Sequence, residues 1–223
     1  MGIMLPSQTV ENYLKTIHLA QMAQTDRTLV PMGQLASALG VVPGTATTMM
    51  KALAESGLVH YEPYMGVRLT SAGEKLASLV LRRHRLIELF LVKVMGMSWA
   101  EVHDEAERLE HAVSEQLIDR IDAMLGRPEV DPHGDPIPKA DGAISQQDYL
   151  NLMSAPLDSE LVIARVIDQD PEFLRFVEQR GLMPGSRVVI ESRDPMADAV
   201  CIRSSSSDST TIGTKAASKV LVR

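Results

Sequence analysis

From position 103 to 111 the chain reads His-Asp-Glu-Ala-Glu-Arg-Leu-Glu-His. At about 100° per residue on an α-helix, His103, Glu107, Glu110 and His111 project within an arc of roughly 100°. Two imidazoles and two carboxylates on one stripe are costly to bury unless something cationic binds them. Upstream, His84 and Glu88 stand at i, i+4, again on one helical face. These nitrogen and oxygen donors, in a chain whose only cysteine is Cys201, predict a divalent-metal site. Donors without thiolate favour Mn2+ or Fe2+, with Co2+, Ni2+ and Zn2+ as competitors.

A blander reading accounts for part of the pattern. Isolated charged surface residues are usually solvated, and Asp104, Glu105 and Arg108 are read that way. Glu107 or Glu110 could pair with Arg82 or Arg83, but pairing of that kind does not explain four ligand-type residues together. Two metalloenzyme signatures are absent. His103 is followed by Asp104 with no His four residues on, so H-E-x-x-H fails. Arg108 sits three before His111, so the di-iron E-x-x-H fails too. Both absences count against an enzyme; a metal-dependent hydrolase or a metal-storage protein is the rival from another class.

The elements that must position these groups are legible from periodicity. Pro6-Ser7 opens a helix with Val10, Tyr13, Leu14 and Ile17 as its apolar stripe, and Thr25-Asp26-Arg27 reads as a loop. Residues 32–39 form a short helix ended by Gly40. Pro43 begins another, with Ala46, Met49, Met50 and Leu53 buried and Thr45, Thr47, Thr48 and Lys51 on the polar side. Two β-prone runs, 58–61 and 66–70, flank Glu62-Pro63-Tyr64-Met65 as a hairpin. Helix, turn, helix and hairpin make a winged helix-turn-helix, whose exposed polar side chains suit base edges and phosphates.

Ser71-x-x-Glu74 reads as a capping box for a long helix reaching about residue 94, and Ser98-x-x-Glu101 as a second one for the His103–His111 helix. Ser114 caps a third helix with Leu117, Ile118, Ile121, Met124 and Leu125 as its apolar face. So much apolar helical surface predicts a homodimer. Prolines at 128, 132, 136 and 138 among Asp and Gly read as a linker. A β-rich unit follows, with strands at 161–167, 187–192, 200–203 and 220–223, a short helix at 171–180, and a polar turn at 204–209.

Composition narrows the class. The chain has 223 residues, 45% of them hydrophobic, with 13 Met against 3 Phe and 1 Trp, so its cores are aliphatic and Met-filled. A lone cysteine excludes a disulfide framework and suits a reducing cytoplasm. No basic region followed by an apolar run opens the chain, and no stretch approaches about 18 apolar residues, so no membrane partner is expected. Residues 1–75 balance their charges, which leaves the whole net charge of −7 in the remainder. A neutral head on an acidic body is compatible with DNA binding.

Several segments resemble the diphtheria-toxin-repressor type of iron- and manganese-dependent transcriptional regulators over nearly the whole length. They are Thr9-Val10-Glu11-Asn12-Tyr13-Leu14-Lys15, Leu53-Ala54-Glu55-Ser56-Gly57-Leu58-Val59, Arg83-His84-Arg85-Leu86-Ile87-Glu88, the 103–111 stretch and His133-Gly134-Asp135-Pro136-Ile137-Pro138. Arg180-Gly181-Leu182-Met183-Pro184-Gly185-Ser186 resembles the SH3-like, ferrous-transport-A-type domain of the longer members.

The resemblance implies a multidomain, mainly α protein. Its expected parts are a winged helix-turn-helix (1–73), a helical metal-binding and dimerisation domain (74–127), a linker (128–147) and a small SH3-like β-barrel (148–223). It implies a metal-dependent repressor that binds palindromic operator DNA as a homodimer. Asn12, Glu107, Glu110 and His111 fall on the primary metal site, while His84, Glu88 and His103 fall on the ancillary site. Asp168 is the candidate that completes the latter, with Asp170 or Glu172 next. Thr45, Thr48, Lys51 and Arg68 are the expected DNA contacts.

Glu107 stands where iron-type members have a cysteine, which favours Mn2+, with Fe2+ as the alternative. Asn12 and Lys15 depart from the short manganese type and favour two separated sites. A permanently bound structural metal is the alternative within regulators.

Overall fold

The computed structural model describes residues 7–24, 29–145, 147–204 and 209–223. Pro6, the loop expected at 25–27 and most of the polar turn expected at 204–209 lie outside the described residues. The chain forms two compact units, Met1–Arg83 with Pro138–Ile144, and His84–Ile137 with Ser145–Arg223.

In the first unit, α1 (Gln8–Met22) starts at Ser7, whose Oγ accepts the Val10 N–H at 3.4 Å. Tyr13, Leu14 and Ile17 enter the core. Gly40, at φ +64°, turns the chain from α2 (Met32–Ala38) towards α3 (Pro43–Glu55). A proline in the first turn of α3 forfeits no helical hydrogen bond, because those amides have no intrahelical partner. Ala46, Met50 and Leu53 are its buried face.

The expected wing is present: β1 (Val59–Glu62) pairs antiparallel with β2 (Gly66–Leu69). β2 is also held on its other side, since Val67 and Val30 exchange both backbone hydrogen bonds. Gln21 Oε1 accepts the Leu69 N–H at 3.1 Å, fastening the wing to α1.

The long helix α4 (Ser71–Lys93) begins one residue earlier than the capping box suggested. Thr70 supplies the cap: its Oγ1 accepts the Gly73 N–H at 3.1 Å and its carbonyl the Glu74 N–H at 2.8 Å. A hydroxyl flanking the helix can satisfy an orphan amide whichever of two adjacent residues carries it, so sequence alone does not choose between Thr70 and Ser71.

In the second unit, α5 (Val102–Leu109) and α6 (Glu115–Met124) pack with the latter part of α4 around Leu86, Ile87, Val102, Ala106, Ile118 and Ile121. Ser98 does not cap α5. It caps a preceding turn instead, accepting the Ala100 N–H on Oγ and the Glu101 N–H on its carbonyl. Ser114 does cap α6. Of the apolar face expected there, Ile118 and Ile121 are buried while Leu117 and Met124 are exposed.

The segment read as a linker is packed over its first half, where Asp131, His133, Asp135 and Ile137 are all buried. Next come β3 (Leu150–Asn151), β4 (Glu160–Val166), α7 (Pro171–Glu178) and β5 (Arg187–Asp194). The chain ends with β6 (Ala199–Ser204), β7 (Thr210–Gly213), α8 (Thr214–Ala217) and β8 (Val220–Val222). The six strands form one antiparallel sheet in the order β3-β8-β4-β5-β6-β7. Among the described residues no pairing joins β3 to β7, so an open six-stranded sheet stands where a closed barrel was expected. No described helix is long and apolar enough to cross a membrane.

Candidate metal centre

α4 presents His84 and Glu88 one turn apart, and α5 presents His103 and Glu107. The helix does not extend to His111. It ends at Leu109, Glu110 is its C-cap residue, and the Ala112 and Val113 amides both return to Leu109 O as the chain turns towards the Ser114 cap. The one continuous helical stripe predicted from spacing is thus two helical residues and two in a turn.

These side chains converge on His84. Its Nδ1 is 2.6 Å from Glu110 Oε2 and 3.8 Å from Glu107 Oε1. Its Nε2 is 3.0 Å from Glu88 Oε1 and 3.2 Å from His103 Nδ1, and that His103 nitrogen is itself 3.2 Å from Glu88 Oε1. His111 Nε2 lies 3.3 Å from Glu110 Oε1. His84, Glu88, His103 and His84, Glu107, Glu110 are therefore two groupings whose donor atoms fall within 4.8 Å of one another.

A third grouping, Glu88, Asp131 and His133, lies wholly in the interior. In the sequence His133 and Asp135 stand out only as part of a family segment, and no local pattern marks Asp131. His133 Nε2 is 2.8 Å from Trp99 O. A carbonyl can only accept, so Nε2 carries the proton and Nδ1 of the neutral ring presents a lone pair. That Nδ1 has no hydrogen-bond partner and lies 3.9 Å from both Glu88 Oε2 and Asp131 Oδ1. Glu88 Oε2 and Asp131 Oδ2 lack hydrogen-bond partners as well. Arg85 Nε stands 3.6 Å from Asp131 Oδ2, and the acceptors that face one another here can be bridged by a proton or a cation.

The turn that carries His133 is tightly built. Asp131 Oδ1 accepts the His133 N–H at 2.8 Å and the Asp135 N–H at 2.9 Å. Asp135 meets Arg85 at 3.5 Å, Arg165, and the Gln169 amide at 2.8 Å. The Val166 N–H donates to His133 O at 2.8 Å.

Electrostatics divide the two buried acids. Burial alone would raise the Glu88 carboxyl, but attraction to His84, hydrogen bonds from His103 and His84, and attraction to His133 hold it well below the usual carboxylate range. Asp131 moves the other way: burial, then repulsion from Asp135 and Glu88, push it well above that range despite Arg85 and the Asp135 amide. An acid raised in the fold stabilises it fully below its unfolded pKa and loses that contribution as pH rises towards the folded value. Metal-free Asp131→Asn protein is accordingly expected to melt higher than wild type at pH 8, by roughly 2–4 °C. The difference should vanish near pH 3, and Mn2+ should stabilise the variant less. Thermal melts at both pH values, with and without Mn2+, check this; a lower melting temperature at pH 8 would count against the reading.

Asn12, on α1, is half-buried, and its Oδ1 is buried without a hydrogen-bond partner among the described residues. Asp168 is engaged elsewhere. It pairs with Lys219, which lowers its pKa, accepts the Asp170 N–H at 3.0 Å, and enters none of the three groupings. Asp170 is occupied capping α7. On α3, Thr45, Thr48 and Lys51 are exposed, as is Arg68 on β2. The Thr48 hydroxyl donates to Gly44 O at 3.0 Å, which leaves its oxygen free only to accept.

Comparison with known proteins adds family-level findings. Residues 6–67 match the family described as iron dependent repressor, N-terminal DNA binding domain, and residues 70–139 its metal binding and dimerisation domain. Residues 150–223 match the FeoA domain. A solved structure of a manganese-dependent transcriptional repressor in complex with manganese is similar at a TM-score of 0.87 and 40% identity, covering 96% of this chain and 99% of that one. An uncharacterised HTH-type transcriptional regulator of Methanocaldococcus jannaschii is 36% identical over 53% of this chain and 94% of its own length. The iron-dependent repressor IdeR of Mycobacterium leprae is 28% identical over 87% of this chain and 88% of its own.

Proposed function

Since the chain belongs to the family of iron- and manganese-dependent transcriptional repressors, which are DNA-binding regulators and not enzymes, we propose that it is a Mn2+-responsive repressor acting as a homodimer on palindromic operator DNA in the cytoplasm. The observation that carries the reading is the convergence of Glu88, His103, Glu107 and Glu110 on both nitrogens of His84. A bound divalent cation supplies the positive charge that such a set of donors lacks.

Glu107, Glu110 and His111, with Asn12 as a further donor, are proposed to hold the activating cation. The Asn12 part is supported by its unsatisfied buried Oδ1. His84, Glu88 and His103 are proposed as the ancillary site, and Asp168 remains its candidate fourth donor. Pairing with Lys219 means that Asp168 must exchange one partner for another to serve. The interior group of Glu88, Asp131 and His133 supports a further seat for a cation. Oxygen and imidazole donors without thiolate favour Mn2+ over Fe2+.

Asn12 sits on a helix of the DNA-reading head and the other donors do not, so cation binding and the DNA-competent state are linked. A cation shifts that equilibrium only by its differential affinity for the two states, and DNA must tighten cation binding by the same factor. Thr45, Thr48 and Lys51 would face the major groove and Arg68 a phosphate. An isologous dimer reads a two-fold symmetric site, which is the basis for a palindrome. Leu117 and Met124, exposed on α6, offer apolar surface for that dimer.

The test is DNA affinity measured with Mn2+ and after chelation. Tighter binding with Mn2+ is expected, by at least about tenfold, within the usual range of coupling energies. Equal affinity in both conditions would refute metal activation and leave a permanently bound structural metal as the better account.

A further inference from the structure

The outward face of the wing bears two side chains that the fold does not use. The β1–β2 register sets His60 directly opposite Arg68. Val59, Val67 and Leu69 of the same hairpin are buried, so by strand alternation His60 and Arg68 share the other face, and both are exposed. Directly opposed side chains on one face have Cβ atoms about 4.5–5.5 Å apart. Among the described residues neither side chain forms a hydrogen bond or an ion pair. Glu62 lies on the same face two residues along β1, opposite Gly66 at the turn end, and is not paired with either.

Two nitrogen donors held side by side add nothing to the stability of the hairpin, and when both are charged they oppose it. The same spacing suits one anionic group. A guanidinium offers a planar fork that matches phosphate oxygens, and an imidazole N–H supplies a further donor beside it. The platform is stiff, because β2 is hydrogen-bonded to β1 on one side and through Val67 to Val30 on the other, with Leu69 tied to Gln21.

We infer that His60 and Arg68 together form a phosphate-binding pair that seats the wing on the DNA backbone. The inference rests on the DNA-binding reading above and adds His60 to the contacts. Phosphate contacts position a protein without reading bases, so the effect is the same on every sequence.

That property permits a test without knowing the operator. A mixed-sequence 30-bp duplex, with saturating Mn2+, is titrated with wild type, His60→Ala, His60→Lys and Arg68→Ala across a range of salt concentrations. His60→Ala is expected to weaken binding about three- to tenfold with no change in thermal melting, as loss of one ordinary hydrogen bond at a solvated surface would do. His60→Lys should steepen the slope of log affinity against log salt by about one, and Arg68→Ala should make it shallower by about one. Wild-type affinity and slope in both His60 variants would overturn the inference while leaving the DNA-binding reading intact. Failure of the wild type to bind any duplex in Mn2+ would overturn both.

Discussion

Glu110→Gln is expected to abolish Mn2+-dependent DNA binding while the metal-free protein still melts cooperatively. Glu110 has no solvent exposure, and its two oxygens meet different imidazoles, Oε2 at 2.6 Å from His84 Nδ1 and Oε1 at 3.3 Å from His111 Nε2. A glutamine keeps the volume but removes the charge, and it turns one of the two acceptors into a donor. One imidazole then faces an amide N–H2, and the site loses the negative charge that balances a dication. Loss of an outer-shell partner alone costs about 10–100-fold in metal affinity, so a direct ligand should cost at least about 100-fold. Glu105→Gln is the control, since Glu105 is half-buried and, among the described residues, its ion pair is with Arg108 one turn along α5. A normal Mn2+ response in Glu110→Gln would show that this carboxylate is not a ligand.

Gly134→Ala should be the most destabilising single methyl in the second unit. Gly134 lies at φ +87°, where an L side chain is strained, and a Cβ there would overlap Ala164 O and stand 2.7 Å from Arg165 Cα. Both obstacles are backbone atoms of β4, which cannot move aside as a flexible side chain would. Backbone strain of about 1–3 kcal/mol and overpacking of about 1–3 kcal/mol add to one another. For a unit of this size that corresponds to a fall in melting temperature on the order of 10 °C. The local consequence is more specific: the turn must lift from β4, breaking the bond from the Val166 amide to His133 O and drawing His133 away from Glu88 and Asp131. Mn2+ stoichiometry should drop along with stability. A variant that melts like wild type would mean the turn does not seat on β4 so closely.

Local rules carried the reading of the sequence a long way, and their limits are physical. Helices with apolar residues at 3- and 4-residue spacing, such as α1 and α3, declare themselves because period and burial agree. The hairpin was legible because Glu62-Pro63-Tyr64-Met65 breaks two β-prone runs. Short elements were not: β3 has two residues and β7 four largely polar ones, too few for a period to register. Two helix starts were misread because a serine three residues before a glutamate marks a cap only if the chain enters the helix there. At Ser98 it makes a separate turn first.

The largest miss was residues 131–137. Proline, aspartate and glycine compose a linker and a tight buried turn alike, and what distinguishes them is distant partners. Arg85 stands 50 residues before Asp135, and Arg165 and Gln169 lie well beyond it. The candidate ligands around His84 were found from residue type and spacing. The burial of Asp131 and His133 against Glu88 was not, because nothing in a single sequence reports which acids lose their water.

His84 itself imposes a choice. A neutral imidazole owns one lone pair and one N–H, and this ring turns Nδ1 towards Glu107 and Glu110 and Nε2 towards Glu88 and His103. Whichever nitrogen ligates a cation, the other must donate its hydrogen to the carboxylate on the opposite side. The ring therefore works as a two-position selector: occupancy of one grouping fixes the tautomer that the neighbouring grouping encounters. With the ancillary cation on Nε2, the Nδ1 hydrogen goes to Glu110, so the ring that ligates one cation orients a carboxylate proposed for the other.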